Sequence, residues 1–415
     1  MERVVITGMG VVSPMGNQVE SFWSNLVQGT SGISYIDTFD TSKYKTKFAG
    51  VVKDFDADSI FGRKEARRMD RFSQFALVAA EQALIDSGLV LDEIDLERLG
   101  VYVGSGIGGI QTMMGQEQIR KERGPDRVSP LLVPMMIANM ASSMISITYG
   151  AMGPSMSPVT ACSIGNTAIG EAMRLIKSGG ADVVFAGGTE AAITELAVAS
   201  FGNATALSTR NDQPELASRP FDADRDGFVM AEGAGILILE SLAHAKKRKA
   251  HIYAEVLGYG ASSDAYHIVA THPEGKGAYQ AMKLALQEAG VQPEQVDVIS
   301  AHATSTEVGD RSETAAIKRL FGEKAYQIPV TANKSMTGHM LGAASAVEAI
   351  ALVKTLQEGI IPPTINQDNQ DPICDLDYIP NKARKAEMRI GMSNSFGFGG
   401  HNAVIVLRAW DSNES

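Results

Sequence analysis

Val159-Thr160-Ala161-Cys162-Ser163-Ile164-Gly165 decides how this chain is read. It is a short extended piece that stops at Cys162 and gives way to Gly165–Ile176, where apolar residues recur at helical spacing. Cys162 is therefore expected at a strand-to-helix turn. A thiol there faces unpaired backbone N–H groups and the positive end of the helix dipole, which favour the thiolate, the form that attacks carbonyl carbon. Taken alone, the heptapeptide is equally well explained by a small buried core cysteine. Histidine motifs far along the chain separate the two readings.

Length and composition bound the rest. A chain of 415 residues can bury a large core, as one big unit or two fused halves. Its only cysteines are Cys162 and Cys374, so no disulfide framework is expected and a reducing cytoplasm is. The start, Met1-Glu2-Arg3-Val4-Val5-Ile6, has neither a basic run nor a long apolar stretch, and no run elsewhere is long enough to span a bilayer. The expectation is a soluble, unprocessed protein without a membrane partner. With 37 Lys plus Arg against 48 Asp plus Glu, the net charge of −11 argues against nucleic acid as a partner but permits a local basic patch.

Apolar strands at Val4–Ile6, Leu99–Val103, Val183–Phe185, Ile236–Leu239, Val296–Ser300 and Asn402–Leu407 alternate with helical stretches. That alternation predicts an α/β fold with largely parallel sheets covered on both faces. Residues 1–250 and 251–415 are expected to form its N- and C-terminal halves, although no sequence repeat between them is visible. Gly8 and Gly10 read as a tight turn after the first strand. Gly104-Ser105-Gly106-Ile107-Gly108-Gly109 formally matches G-x-G-x-x-G, but no second strand closed by an acidic residue follows, so the run reads as backbone passing close to another segment or a ligand. Residues 62–89 read as one helix that gathers Arg63, Lys64, Arg67, Arg68 and Arg71 on one side, either a solvated face or a landing site for an acidic partner. Lys246-Lys247-Arg248-Lys249 reads as ordinary surface. Asp224–Gly235 lacks the ligand spacing of an oxygen-only metal loop, and no close Cys or His pair supports zinc, so no metal is expected.

His302, in Ala301-His302-Ala303-Thr304-Ser305-Thr306, and His339, in Lys334-Ser335-Met336-Thr337-Gly338-His339, each stand just past an apolar strand. That is where such sheets bind ligands. With a lone cysteine at a third strand end, they suggest thiolate chemistry assisted by imidazole. A protease-like pair needs only one histidine, so the second and Lys334 exceed that scheme.

These motifs, with Asn394-Ser395-Phe396-Gly397-Phe398-Gly399-Gly400, resemble the Cys-His-His signature of β-ketoacyl-acyl-carrier-protein synthases, notably the elongating synthase II type of bacterial type II fatty acid synthesis. The resemblance runs from Val4 to Leu407. It implies a thiolase-like, five-layered αβαβα fold of two similar halves, acting as a homodimer. It also implies that Cys162 takes an acyl chain from acyl-carrier protein as a thioester, and that the enolate from decarboxylation of malonyl-carrier protein attacks it, extending the chain by two carbons.

On this resemblance His302 and His339 donate to the developing enolate oxygen, and backbone N–H groups of Cys162 and Phe398 hold the acyl oxyanion, one such donor being worth about 3 kcal/mol. Lys334 pairs with Glu313 and tunes His302; Phe398 gates the cysteine; Ile107 and Phe201 line the acyl tunnel; Thr304 and Thr306 contact substrate. Lys64, Arg67 and Arg68 dock the acidic carrier protein. No cofactor is tightly bound, since acyl and malonyl thioesters arrive on the carrier's phosphopantetheine. Some positions depart from the family pattern. Ala303 replaces a usual Gly, Leu131-Leu132 replace two Phe near the far end of the tunnel, and Asp126 and Thr205 stand where basic residues are usual. The alternatives are a polyketide-pathway ketosynthase, a malonyl-carrier-protein decarboxylase, or a non-catalytic chain-length or scaffold subunit. Retention of Cys162, His302 and His339 favours a condensing enzyme.

Overall fold

The computed structural model describes residues 2–411; Met1, on which the expected unprocessed start rests, and residues 412–415 lie outside that description. Ten strands make one continuous sheet. Its N-terminal part comprises β1 (Val4–Val12), β2 (Leu99–Gly104), β3 (Ser155–Met156), β4 (Val183–Glu190) and β5 (Gly233–Ser241), in spatial order β3-β2-β4-β5-β1. Its C-terminal part comprises β6 (Ala254–Ser263), β7 (Val298–Ser300), β8 (Val330–Thr331), β9 (Ile390–Gly397) and β10 (His401–Ala409), in order β8-β7-β9-β10-β6. The strand directions repeat. β1/β5 and β5/β4 are antiparallel while β4/β2 and β2/β3 are parallel. In the second unit β6/β10 and β10/β9 are antiparallel while β9/β7 and β7/β8 are parallel. A two-rung ladder, Val5↔Glu255 and Ile6↔Ala254, joins the units.

The expected largely parallel sheet is thus corrected to a mixed one. β9 and β10 are joined only through Phe398–Gly400, and so short a connection can link antiparallel strands but not parallel ones. The expected turn at Gly8 and Gly10 is also absent, because β1 continues through both, with one register shift between Ile6 and Gly8. A Cβ at Gly8 would lie 2.2 Å from the Ala83 carbonyl oxygen, and one at Gly10 2.0 Å from that of Ala79. These glycines let helix α1 (Arg71–Ser87) lie directly on the strand backbone.

The other principal helices are α2 (Met140–Tyr149), α3 (Ile164–Lys177), α4 (Lys276–Ala289), α5 (Glu307–Phe321) and α6 (Ala344–Glu358). α1 and α2 cover the outer face of the first unit, and α4 and α5 that of the second. Helices α3 and α6 pack on each other and touch strands of both units, forming the middle layer. Ile169, Met173, Ile350 and Leu352, all fully buried, carry that middle core with Leu237 and Ile405 from the sheet. Each such side chain contributes roughly 1.5–3 kcal/mol on burial, which fixes how the elements bearing the site meet.

The single helix expected over 62–89 is broken in two, a short turn of helix Arg63–Ala66 and α1. Asp70 interrupts it because its carboxylate accepts the Phe72 N–H and caps α1. Arg71 consequently leaves the surface patch. It pairs with buried Glu232 at 2.9 Å, its guanidinium 4.5 Å from the Phe75 ring centre. Arg248 also departs from the plain surface reading, donating to both oxygens of buried Glu240 and to the Ser87 carbonyl. No helix among the described residues is long and apolar enough to cross a membrane.

Candidate active site

The middle layer places the nucleophile. Ala161–Ser163 form a tight turn leading into α3, with Ala161 at φ +51°, a left-handed conformation costly for a residue with a side chain. The Cys162 carbonyl accepts from Ser395 Oγ at 2.9 Å and Ser345 Oγ at 3.3 Å, which pins the turn. The same turn recurs before α6 at Leu341–Ala343, with Leu341 at φ +48°. Gly342 stands there as Cys162 stands before α3. The duplicated architecture makes two such elbows, and one carries a thiol.

The histidines come from the second unit. His302 follows β7; its N–H and that of Ala303 donate to the Glu313 carboxylate on α5 at 2.9 and 2.8 Å. Ala303 itself has φ +21°, at the edge of the left-handed region that favours glycine. His339 follows the short helix Lys334–Thr337 and donates its N–H to the Val229 carbonyl. Its Nε2 lies 3.0 Å from Cys162 Sγ. The two imidazoles stand edge to face, ring centres 5.5 Å apart. All three side chains open into one cavity of about 390 Å³.

Burial dominates the electrostatics. It pushes the Cys162 thiol up to about 11, against the pull of Lys334 and of the Phe398 and Cys162 N–H groups. The thiolate expected from the helix terminus alone is therefore not the resting form, because desolvation of a fully enclosed sulfur outweighs the dipole. Burial also holds both histidines well below their ordinary value; Lys334 lowers each further, as His339 does for His302. The resting pair is thiol and neutral imidazole, with His339 placed to take the sulfur's proton as it attacks. Raising pH toward 11 increases the thiolate fraction, so alkylation of Cys162 by iodoacetamide should accelerate about tenfold per pH unit from about pH 7 to 9. A plateau in this range would contradict the burial argument.

Lys334 is not paired with Glu313. Its Nζ donates to Glu348 Oε1 on α6 at 2.5 Å and to the His302 carbonyl at 2.7 Å. Glu313 is occupied instead by the His302 and Ala303 N–H groups and by Asn394 Nδ2. Burial raises both carboxyls, Glu348 to about 7, with Lys334 opposing the rise in each. Glu348 was missed because it lies in the middle of an apolar helix, where only the fold shows that it faces Lys334.

Ile107, Phe201, Thr304, Thr306 and Phe398 line the same cavity as the three reactive side chains. Phe398 is 39% exposed and lies 6.2 Å from the Phe201 ring, at the mouth rather than the floor. Phe228 and Phe396, not singled out in the sequence, pack on His339 and His302 with ring centres 5.5 and 5.6 Å away. Lys64, Arg67 and Arg68 are exposed and outside the cavity, Arg68 paired with Glu65. Leu131 lines a separate surface pocket with Arg68 and Met69.

Residues 1–245 match the model of the beta-ketoacyl synthase N-terminal domain and residues 253–368 that of its C-terminal domain. The chain belongs to the beta-ketoacyl synthase family. Among curated relatives of this ketosynthase are a 3-oxoacyl-[acyl-carrier-protein] synthase 2 from Synechocystis sp., 50% identical over 99% of this chain and 98% of the relative, and one from Staphylococcus aureus strain COL, 49% identical over 99% of both. Among solved structures, a β-ketoacyl synthase from Burkholderia phymatum superposes with a TM-score of 0.92 at 36% identity, covering 99% of this chain and all of the other. A type II PKS ketosynthase, bound to the hexaketide and in complex with its acyl-carrier protein, superposes at 0.90 with 38% identity, again over 99% and 100%. The ketosynthase fold is thus the thiolase-like one, and the protein is a condensing acyltransferase.

Proposed function

We infer that the chain is an elongating 3-oxoacyl-acyl-carrier-protein synthase of type II fatty acid synthesis. The observation that carries this reading is the meeting of Cys162, His302 and His339 at one cavity, with His339 Nε2 3.0 Å from the sulfur. The sulfur displaces the carrier's thiol from an acyl thioester, which leaves with the proton. The carboxylate of a malonyl thioester then departs as carbon dioxide. The two neutral imidazoles, His339 now as its Nε2–H tautomer, donate to the resulting enolate oxygen, and the enolate carbon attacks the acyl-cysteine carbonyl, expelling the sulfur as a thiolate that takes up a proton from water. The N–H groups of Cys162 and Phe398, both directed at the sulfur, hold the acyl oxygen during each transfer. Glu313 orients His302, and burial, aided by Lys334 held at Glu348, keeps both imidazoles neutral. Ile107 and Phe201 bound the acyl chain, and Thr304 and Thr306 meet the pantetheine arm.

Substrates supply the thioesters on a carrier's phosphopantetheine, so the reaction needs no resident cofactor or metal. Two free cysteines, both buried, suit a cytoplasmic enzyme. The two halves divide near residue 250. Open edge strand β3 and exposed Met113, Val133, Ile147, Met152 and Met156 are the face on which a second copy completes a homodimer.

Incubation with malonyl-carrier protein, with and without acyl-carrier protein, tests the reading. Condensation gives carbon dioxide and ketoacyl product; carbon dioxide alone means a decarboxylase, and neither means a scaffold subunit. Lys64, Arg67 and Arg68 would dock the acidic carrier. Charge reversal at Lys64 and Arg67 (K64E/R67E) should raise KM for acyl-carrier protein about tenfold at low salt with kcat little changed. The difference should shrink as added salt screens the patch, and a KM unaffected by these changes would remove it from the docking site.

A further inference from the structure

The formal G-x-G-x-x-G run does bind an anion, and the anion belongs to the chain. Glu190, at the end of β4, is completely buried. Its Oε1 accepts from Ser105 Oγ at 2.8 Å and the Ile107 N–H at 3.1 Å. Its Oε2 accepts from the Gly106 N–H at 2.9 Å and the Gly342 N–H at 3.1 Å. Successive N–H groups turned toward one point are the usual cradle for a phosphate or carboxylate. A Cβ at Gly106 would come within 2.9 Å of Oε2 and one at Gly342 within 2.8 Å, so both segments need glycine to approach it. No partner of Glu190 is a cation; burial raises its carboxyl, and the Ser105 hydroxyl and the Ile107, Gly106 and Gly342 N–H groups oppose that rise.

The carboxylate thereby ties two walls of the cavity together. One is the Ser105–Ile107 loop from the first unit; the other is the elbow before α6 from the second, which carries Leu341. Ile107, Glu190, Leu341 and Gly342 all line the cavity with Cys162. We propose that Glu190 is a positioning residue that fixes the Ile107 loop against the Leu341 elbow and so sets which acyl chains the Cys162 site accepts. This rests on the reading of the cavity as an acyl site. A wall held by four hydrogen bonds at one carboxylate resists the outward shift that a poorly fitting chain demands, and discrimination per methylene depends on that resistance. Glu190 also lies close enough to the sulfur for its charge to help hold the thiol protonated.

Glu190→Gln keeps size and shape but presents an NH2 group to N–H donors, releasing one of the two walls. The experiment measures kcat/KM for a series of saturated acyl-carrier proteins from short to long, with the unaltered enzyme, with E190Q and with S105A, which removes a single donor. The ratio between the best and worst chain should contract about fivefold or more in E190Q, and in the same direction but less in S105A. Iodoacetamide alkylation of Cys162 in E190Q should move to lower pH, since a nearby negative charge is gone. If kcat/KM falls by one common factor for all chains, Glu190 serves folding alone and the proposal is overturned. Should E190Q fail to fold, S105A decides by the same ratio. Failure of the underlying acyl-site reading is distinguishable, because the unaltered enzyme would then form no ketoacyl product from any chain.

Discussion

Cys162→Ala abolishes ketoacyl product while carbon dioxide is still released from malonyl-carrier protein. Cys162 is the thiol that opens into the cavity, whereas Cys374 is buried in the separate core of the second unit. Decarboxylation needs no sulfur. It needs the two imidazoles, which come from other elements and keep their own supports, Glu313 in the second unit and the Val229 carbonyl in the first. Removing one sulfur atom from a buried site costs about 1–2 kcal/mol of stability, too little to unfold a protein of this size. Parallel measurement of carbon dioxide and ketoacyl product checks this. Persistence of product, or joint loss of both activities, would contradict the assignment.

His302→Ala and His339→Ala each lower carbon dioxide release by roughly 10²–10³, the loss expected when one of two preorganised donors to a developing oxyanion disappears, about 3 kcal/mol. The two variants diverge in the earlier step. His339 touches the sulfur at 3.0 Å, so H339A also slows acylation of Cys162. His302 forms no hydrogen bond to the sulfur, so H302A spares acylation within a few-fold. Single-turnover acylation, followed separately from decarboxylation, reads the difference. Equal slowing of both steps in both variants would mean that the histidines do not divide the work in this way.

The site was more legible than the frame that holds it. Cys162, His302 and His339 stand in motifs whose residue types follow from their chemistry, so the order of strand ends and small residues around them could be read locally. The duplication could not. It is written in strand directions and in two elbows, Ala161–Ser163 and Leu341–Ala343, whose residues share almost nothing beyond a left-handed first position. The glycines misled once. Gly8 and Gly10 signal close approach rather than turning, whereas the Gly104–Gly109 run is close-passing backbone as read, with Gly106 against the Glu190 carboxylate. Lys334 found Glu348 instead of Glu313 because a buried ammonium takes the acceptor that the packing of α6 presents, while two backbone N–H groups had already occupied the other. The thiolate expectation failed because a helix terminus can be read from sequence whereas complete enclosure cannot.

The most direct test of the account is intact-mass spectrometry of the protein after incubation with acyl-carrier protein in the absence of malonyl substrate. The account predicts a gain of one acyl group per chain, located by peptide mapping to Cys162 and discharged when malonyl-carrier protein is added. No gain, or an acyl group found on Cys374, would contradict it.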